Sequence, residues 1–128
     1  MSWASLALWH NIPNSCSQKR SSAFGRVVDD LLQKADEACA AAIQIPTPVD
    51  GGGGAVHEQH KSNYYAMFHA GLAYQYTGHK KYADFVAQML MEYAQKYPKW
   101  GLHPVNLSPV PGRLFWQTLN ESVWLVHT

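Results

Sequence analysis

The chain has 128 residues, 47% of them apolar and 15% charged, which is enough for one domain with a hydrophobic core and unlike a disordered segment. Its formal net charge of +1 neither marks nor excludes an acidic partner, because a pocket holding one or two acidic groups needs only a few local cations. No apolar run approaches the roughly 20 residues of a membrane-spanning helix, so no membrane span is expected. Nucleic acid is not an expected partner.

Residues 1–21 contain Pro13, several serines and two tryptophans without sustained periodicity and read as an irregular leader. The first ten, MSWASLALWH, have neither a basic n-region nor a clear small-residue cleavage site, so they make a poor secretory signal. From Phe24 the pattern changes. Phe24, Val27, Val28, Leu31, Ala35, Ala38, Cys39 and Ala42 recur at the three-and-four spacing of one helix face, with Ser22 as candidate N-cap and Pro46 as stop. Cys39 reads as a small buried thiol; with Cys16 in unlike surroundings, the two cysteines do not fix a redox compartment.

The next stretch, IPTPVDGGGG, disfavours both helix and strand and predicts a loop whose backbone passes close to other backbone or to a ligand. A phosphate-cradling role is disfavoured, because no strand precedes the glycines and no Gly-Lys-Ser/Thr follows them. A second helix is predicted over about 57–77, with Tyr64, Tyr65, Met67, Phe68, Leu72, Tyr74 and Tyr76 around most of its circumference, as for a helix buried on several sides. Gly78 sits where a left-handed C-cap is wanted. A third helix, about 80–97, is plainly amphipathic, with Tyr82, Phe85, Val86, Met89, Leu90, Tyr93, Ala94 and Tyr97 in one stripe. Two helices joined by so short a turn predict a helical hairpin. After a proline-rich loop that reaches Arg113, LFWQTLNESVWLVHT reads as a helix still in progress at the last residue. On it Phe115, Leu119, Val123 and Val126 form a core stripe, while Gln117, Asn120 and Trp124 share another face.

Four blocks taken together, PVDGGGGAVHEQHKSNY, YQYTGHKKYADFVAQMLMEYAQKYP, GLHP and PGRLFWQTLNESVWLV, resemble the N-terminal part of the catalytic domain of alginate lyases of the oligoalginate-lyase type, relatives of the heparinase II/III lyases. The resemblance covers about residues 24–128. For this chain it implies an all-α fold, helical hairpins forming part of an incomplete (α/α) toroid over 22–128, and for the parent an enzyme whose toroid is followed by a β-sandwich and which cleaves an acidic polysaccharide, alginate or oligoalginate, by β-elimination; no cofactor is expected. It also implies a periplasmic or secreted address. That chemistry needs a neutralised uronate carboxylate, a base for the C5 proton and an acid for the departing 4-linked oxygen. The family's Asn-His pair and catalytic tyrosine have no counterpart here, so no catalytic residue is identified and activity of the isolated chain is doubtful. A whole toroid, at ordinary helix lengths of about 12 residues and connections of about 5, needs two to three times this length. The chain therefore reads as a fragment, and its unfamily-like leader fits a truncated or rearranged reading frame.

The candidate substrate contacts are Gln117, Asn120, Trp116, Arg113, His57, His60 and Lys61. Gln117 occupies the family-like FWQ position, and an amide pair with Asn120 beside Trp116 and Trp124 suits a sugar cleft; capping or bridging of helices is the structural alternative, as core packing is for the tryptophans. Arg113 can pair with a uronate carboxylate or remain a solvated loop residue. His57 and His60 have a spacing that can share a metal, but with no identifiable third ligand a histidine pair shaping the cleft wall is the better reading, and no metal is expected. Lys61, Tyr64 and Tyr65 follow on the same helix. Two rival readings are a helical-repeat binding module without catalysis, although no repeat of about 34 residues is visible, and a non-functional remnant that self-associates through uncovered helix faces around Tyr64, Phe68 and Leu72.

Overall fold

The apolar spacing is realised as helices, and helices are the regular structure found among the described residues. The computed structural model describes residues 23–105, 109–116 and 118–127. Ser22 and Gln117, singled out above, lie outside them, as do the leader with Cys16 and the side chains of Leu119 and Val126. The elements in order are α1 (Ala23–Ala40), α2 (Ala55–Thr77), α3 (Lys80–Lys96), a 3-10 turn (Tyr97–Lys99) and α4 (Thr118–His127). The expected all-α class is what the described residues form, and none of their helices is long and apolar enough to cross a membrane.

The chain divides into two compact units, Met1–Asp30 and Leu31–Thr128. The described part of the first is the opening of α1. In the second, the centre is the α2–α3 hairpin. Gly78, at φ 71°, is the left-handed C-cap of α2, and its N–H donates to the Tyr74 carbonyl at 2.7 Å. The buried residues of α3, Tyr82, Phe85, Met89 and Tyr93, recur at three-and-four spacing and meet Met67, Ala70 and Ala73 of α2 in the core. Small residues on α2 let the hairpin close tightly. Leu32, Ala35, Ala38 and the free Cys39 of α1 pack on the same core, and Asp36 ties α1 to α3 by accepting from Lys81 Nζ (2.7 Å) and Tyr82 Oη (2.8 Å).

Two expectations need correction. α2 is not buried on several sides: one face (His60, Asn63, Met67, Ala70, Ala73) enters the core, while Tyr65, Phe68, Leu72 and Tyr76 stay 41–53% exposed. Aromatic content around a helix signals burial only where a neighbour covers each face, and no described element covers this one. The last helix begins at Thr118 rather than Leu114, because the segment before it is held in a non-helical turn by a buried carboxylate described below.

The glycine run has a local explanation. The N-cap of α2 is Gly54, which has no side chain to cap with; instead the Asp50 carboxylate reaches forward and accepts from the N–H groups of Val56 (2.9 Å) and His57 (2.8 Å). A Cβ on Gly54 would collide with the Asp50 side chain, and Gly53 takes φ 86°, so the fold-back demands glycine at both. We expect Asp50→Ala to lower stability by about 1–2 kcal/mol, as loss of a helix cap does, read from the shift of a urea unfolding midpoint. An unchanged midpoint would remove Asp50 from this role.

Candidate functional site

The opening of α2 and the approach to α4 enclose a groove of about 430 Å³. From α2 come His57, Lys61, Tyr64 and Tyr65; from the other side come Phe115, Asn120, Val123 and Trp124. The volume lies within the range of small-ligand sites, and the mixture of aromatic walls with a few polar groups is typical of them. Two features hold the α2 side. The Asp50 cap fixes the backbone at His57, and the His57 ring sits 4.9 Å from that of Phe115, with its Nδ1 buried and without a hydrogen-bond partner. Lys61 pairs with Glu58 at 3.0 Å, both side chains about half exposed (45% and 49%).

The other side is organised by Glu121, which is 5% exposed. Its Oε2 accepts from the backbone N–H groups of Arg113 (2.8 Å), Leu114 (2.9 Å) and Phe115 (3.2 Å), and its Oε1 from the Tyr97 hydroxyl. Consecutive N–H groups converging on one carboxylate need a curled backbone, which is why residues 113–116 are not the first turn of α4. A Cβ at Gly112 would collide with this carboxylate and with the Phe115 carbonyl, so the turn also selects glycine there. Burial, and then the bond to Glu121, push the Tyr97 hydroxyl up to about 12. The curl sets Phe115 on the groove wall and turns Leu114 into the core, where it is 2% exposed.

Beneath the groove lies a polar cluster. His60 is fully buried, its Nδ1 2.8 Å from the Tyr93 hydroxyl; Asn63 Nδ2 donates to that hydroxyl oxygen (2.9 Å) and to the Gln44 carbonyl (2.7 Å). At Nδ1 the bonds fit a neutral imidazole that accepts the tyrosine hydroxyl's hydrogen bond, while its Nε2 is buried without a hydrogen-bond partner. Burial pulls the His60 imidazolium down to about 4, reinforced by His57 and His103 and opposed without cancellation by the Pro46 backbone and Asp50. Burial likewise raises the Tyr93 hydroxyl above its ordinary value. Trp124, 5% exposed, closes the cluster, with its ring 4.6 Å from Tyr93 and its Nε1 donating to the His60 carbonyl at 3.3 Å.

The structure thus brings His57, Lys61 and Asn120 around one groove. His60 lies behind its wall rather than on it, and it faces Tyr93 rather than its sequence neighbour His57. The Arg113 guanidinium donates to the Trp100 carbonyl, and Trp116 is half-buried. Trp124 is a core residue that also borders the groove, while Val123, placed in the core stripe by its spacing, is 49% exposed. Among the described residues no cluster of three or more His, Cys, Asp or Glu can hold a metal ion. Asp50, Asn63 and Glu121 escaped the periodicity argument. A signal for Glu121 was present, because it is the only carboxylate, lysine or arginine between Leu114 and Thr128, and a lone acid in an apolar stretch is commonly a buried, hydrogen-bonded one.

No family model matches the chain. An alginate lyase of Stenotrophomonas maltophilia (strain K279a) is 53% identical to it over 87 residues, 68% of this chain. The chain is similar to a segment of this protein. An exo-oligoalginate lyase of Saccharophagus degradans (strain 2-40) is 50% identical over 93 residues, 73% of the chain. The matches span 12% and 13% of the lengths of these two alginate-lyase relatives.

Proposed function

We propose that this chain forms part of the α/α toroid of a lyase acting on alginate or oligoalginate, and that the groove between α2 and α4 is one wall of its substrate cleft. The observation that carries the reading is the convergence of Lys61, His57 and Asn120 with the aromatic side chains of Tyr64, Tyr65 and Trp124 around one groove. A uronate polymer presents apolar sugar faces, hydroxyls and one carboxylate per unit. Aromatic walls accommodate the faces, the Asn120 amide can donate to or accept from hydroxyls, and the Lys61 ammonium can pair with a carboxylate. Neutralising that carboxylate is the first requirement of β-elimination, since it acidifies the C5 proton. Within this reading the chain binds and orients sugar, and the proton transfers are assigned to no residue of it. Gln117 completes the amide pair as part of the proposal.

The test is titration of the chain with short oligouronates, followed calorimetrically. Lys61→Ala is expected to weaken binding about three- to tenfold and Asn120→Ala about threefold, in line with an exposed ion pair and a single neutral hydrogen bond. Absence of binding by the wild-type chain, or wild-type affinity retained in both variants, would overturn the reading.

A further inference from the structure

We infer that Glu58 tempers the groove's affinity for acidic sugars by holding Lys61 in the ligand-free chain, and that a uronate carboxylate takes its place on binding. The inference rests on the reading of the groove given above. Lys61 is the only lysine or arginine among the described residues that line the groove, and its Nζ lies 3.0 Å from Glu58 Oε1. Glu58, one turn back on α2, does not itself line the groove. The pair therefore sits at the rim, and the cation is shared between the solvated edge and the interior. With the two side chains 45% and 49% exposed, the bond is of the weakly stabilising surface kind and exchanges readily. An incoming carboxylate must displace Glu58 from Lys61 and also approach a second negative charge well inside the screening length of about 8 Å. Both effects oppose acidic ligands and leave neutral ones untouched.

Glu58 is dispensable for the local fold. The N–H groups at the start of α2 are capped by Asp50, whose carboxylate is already engaged with Val56 and His57. Removing the Glu58 charge forfeits a favourable interaction with the helix N-terminus and the exposed ion pair with Lys61, both weak. The expected result is thus a variant slightly less stable than the wild type that nonetheless binds acidic sugar more tightly, a combination that loss of a structural residue does not produce.

The experiment titrates the full 128-residue chain with an oligomannuronate and, separately, with a neutral 4-linked manno-oligosaccharide of equal length. Glu58→Gln should tighten the oligomannuronate about two- to fivefold, the span of a surface ion pair, and leave the neutral ligand unchanged. Lys61→Gln should weaken the oligomannuronate, and Glu58→Gln should tighten it less in the Lys61→Gln background than in the wild type, because without the cation only the direct repulsion by Glu58 is left to remove. If Lys61→Gln weakens binding while Glu58→Gln leaves it unchanged or weaker, or tightens both ligands alike, Glu58 has no such role and the groove reading stands. If no form of the chain binds the oligomannuronate, both fall.

Discussion

Glu121→Ala is expected to destabilise the chain by about 4 kcal/mol, on the basis of roughly 1–3 kcal/mol for each buried donor left without an acceptor. The carboxylate is the shared acceptor of three backbone N–H groups and of the Tyr97 hydroxyl, all converging on a residue that is 5% exposed. Alanine also leaves a void where a charged side chain filled the space behind Gly112. Because small domains are stable by only about 5–15 kcal/mol, the loss would bring the chain close to unfolding at room temperature. Glu121→Gln separates the charge from the shape. It keeps one acceptor oxygen but places an NH2 group against donors, and about half of the loss is expected. Urea unfolding followed by tryptophan fluorescence gives both values, and the quantity that matters is the ordering wild type, glutamine, alanine. A loss below about 1 kcal/mol for alanine would mean that water satisfies these donors and that the carboxylate does not organise the turn.

Acidification should cost stability through His60 before the carboxylates dominate. The unfolded imidazole titrates at 6.5 and the folded one at about 4, so between these values the unfolded chain binds a proton that the folded chain refuses. The stabilisation is fully present above pH 6.5 and is lost as pH falls toward 4. At about 1.4 kcal/mol per pH unit, the whole effect is about 3 kcal/mol, with about 2 kcal/mol gone by about pH 5. The cause is burial first, with His57 adding to it, so the charged form has neither water nor an anionic partner close enough to compensate. His60→Gln removes the titration while keeping a group able to bond to Tyr93. It should be less stable at neutral pH and show a shallower decline between about pH 7 and 5. Parallel decline of the two proteins over that interval would exclude His60 as the titrating group.

The buried position of His60 also separates two uses of the His57–His60 pair that spacing alone leaves joined. Three residues apart on α2, they lie close in angle, yet His57 faces Phe115 and the groove, while His60 turns to Tyr93 and Asn63 in the core. The periodicity of α2 also conceals its exposed ridge. Tyr65, Phe68, Leu72 and Tyr76 have the composition of buried residues, and exposure depends on whether a neighbour is present, which is not written into α2 itself. The α3 core positions were legible for the opposite reason: Tyr82, Phe85, Met89 and Tyr93 recur on one buried face, although Leu90 and Ala94, placed in the same stripe by their spacing, are exposed.

From residues alone came the helices, the left-handed cap at Gly78, the hairpin it closes and the likeness to alginate lyases, because each is written in short-range spacing or in ordered blocks of sequence. Only the folded chain decided that Asp50 caps α2, that Glu121 curls residues 113–115 and delays α4, and that Lys61 and Asn120, 59 positions apart, look into one groove. These are contacts made by single polar groups with backbone or side chains distant along the chain. A lone carboxylate or amide has no period, so its partner is set by how the helices pack.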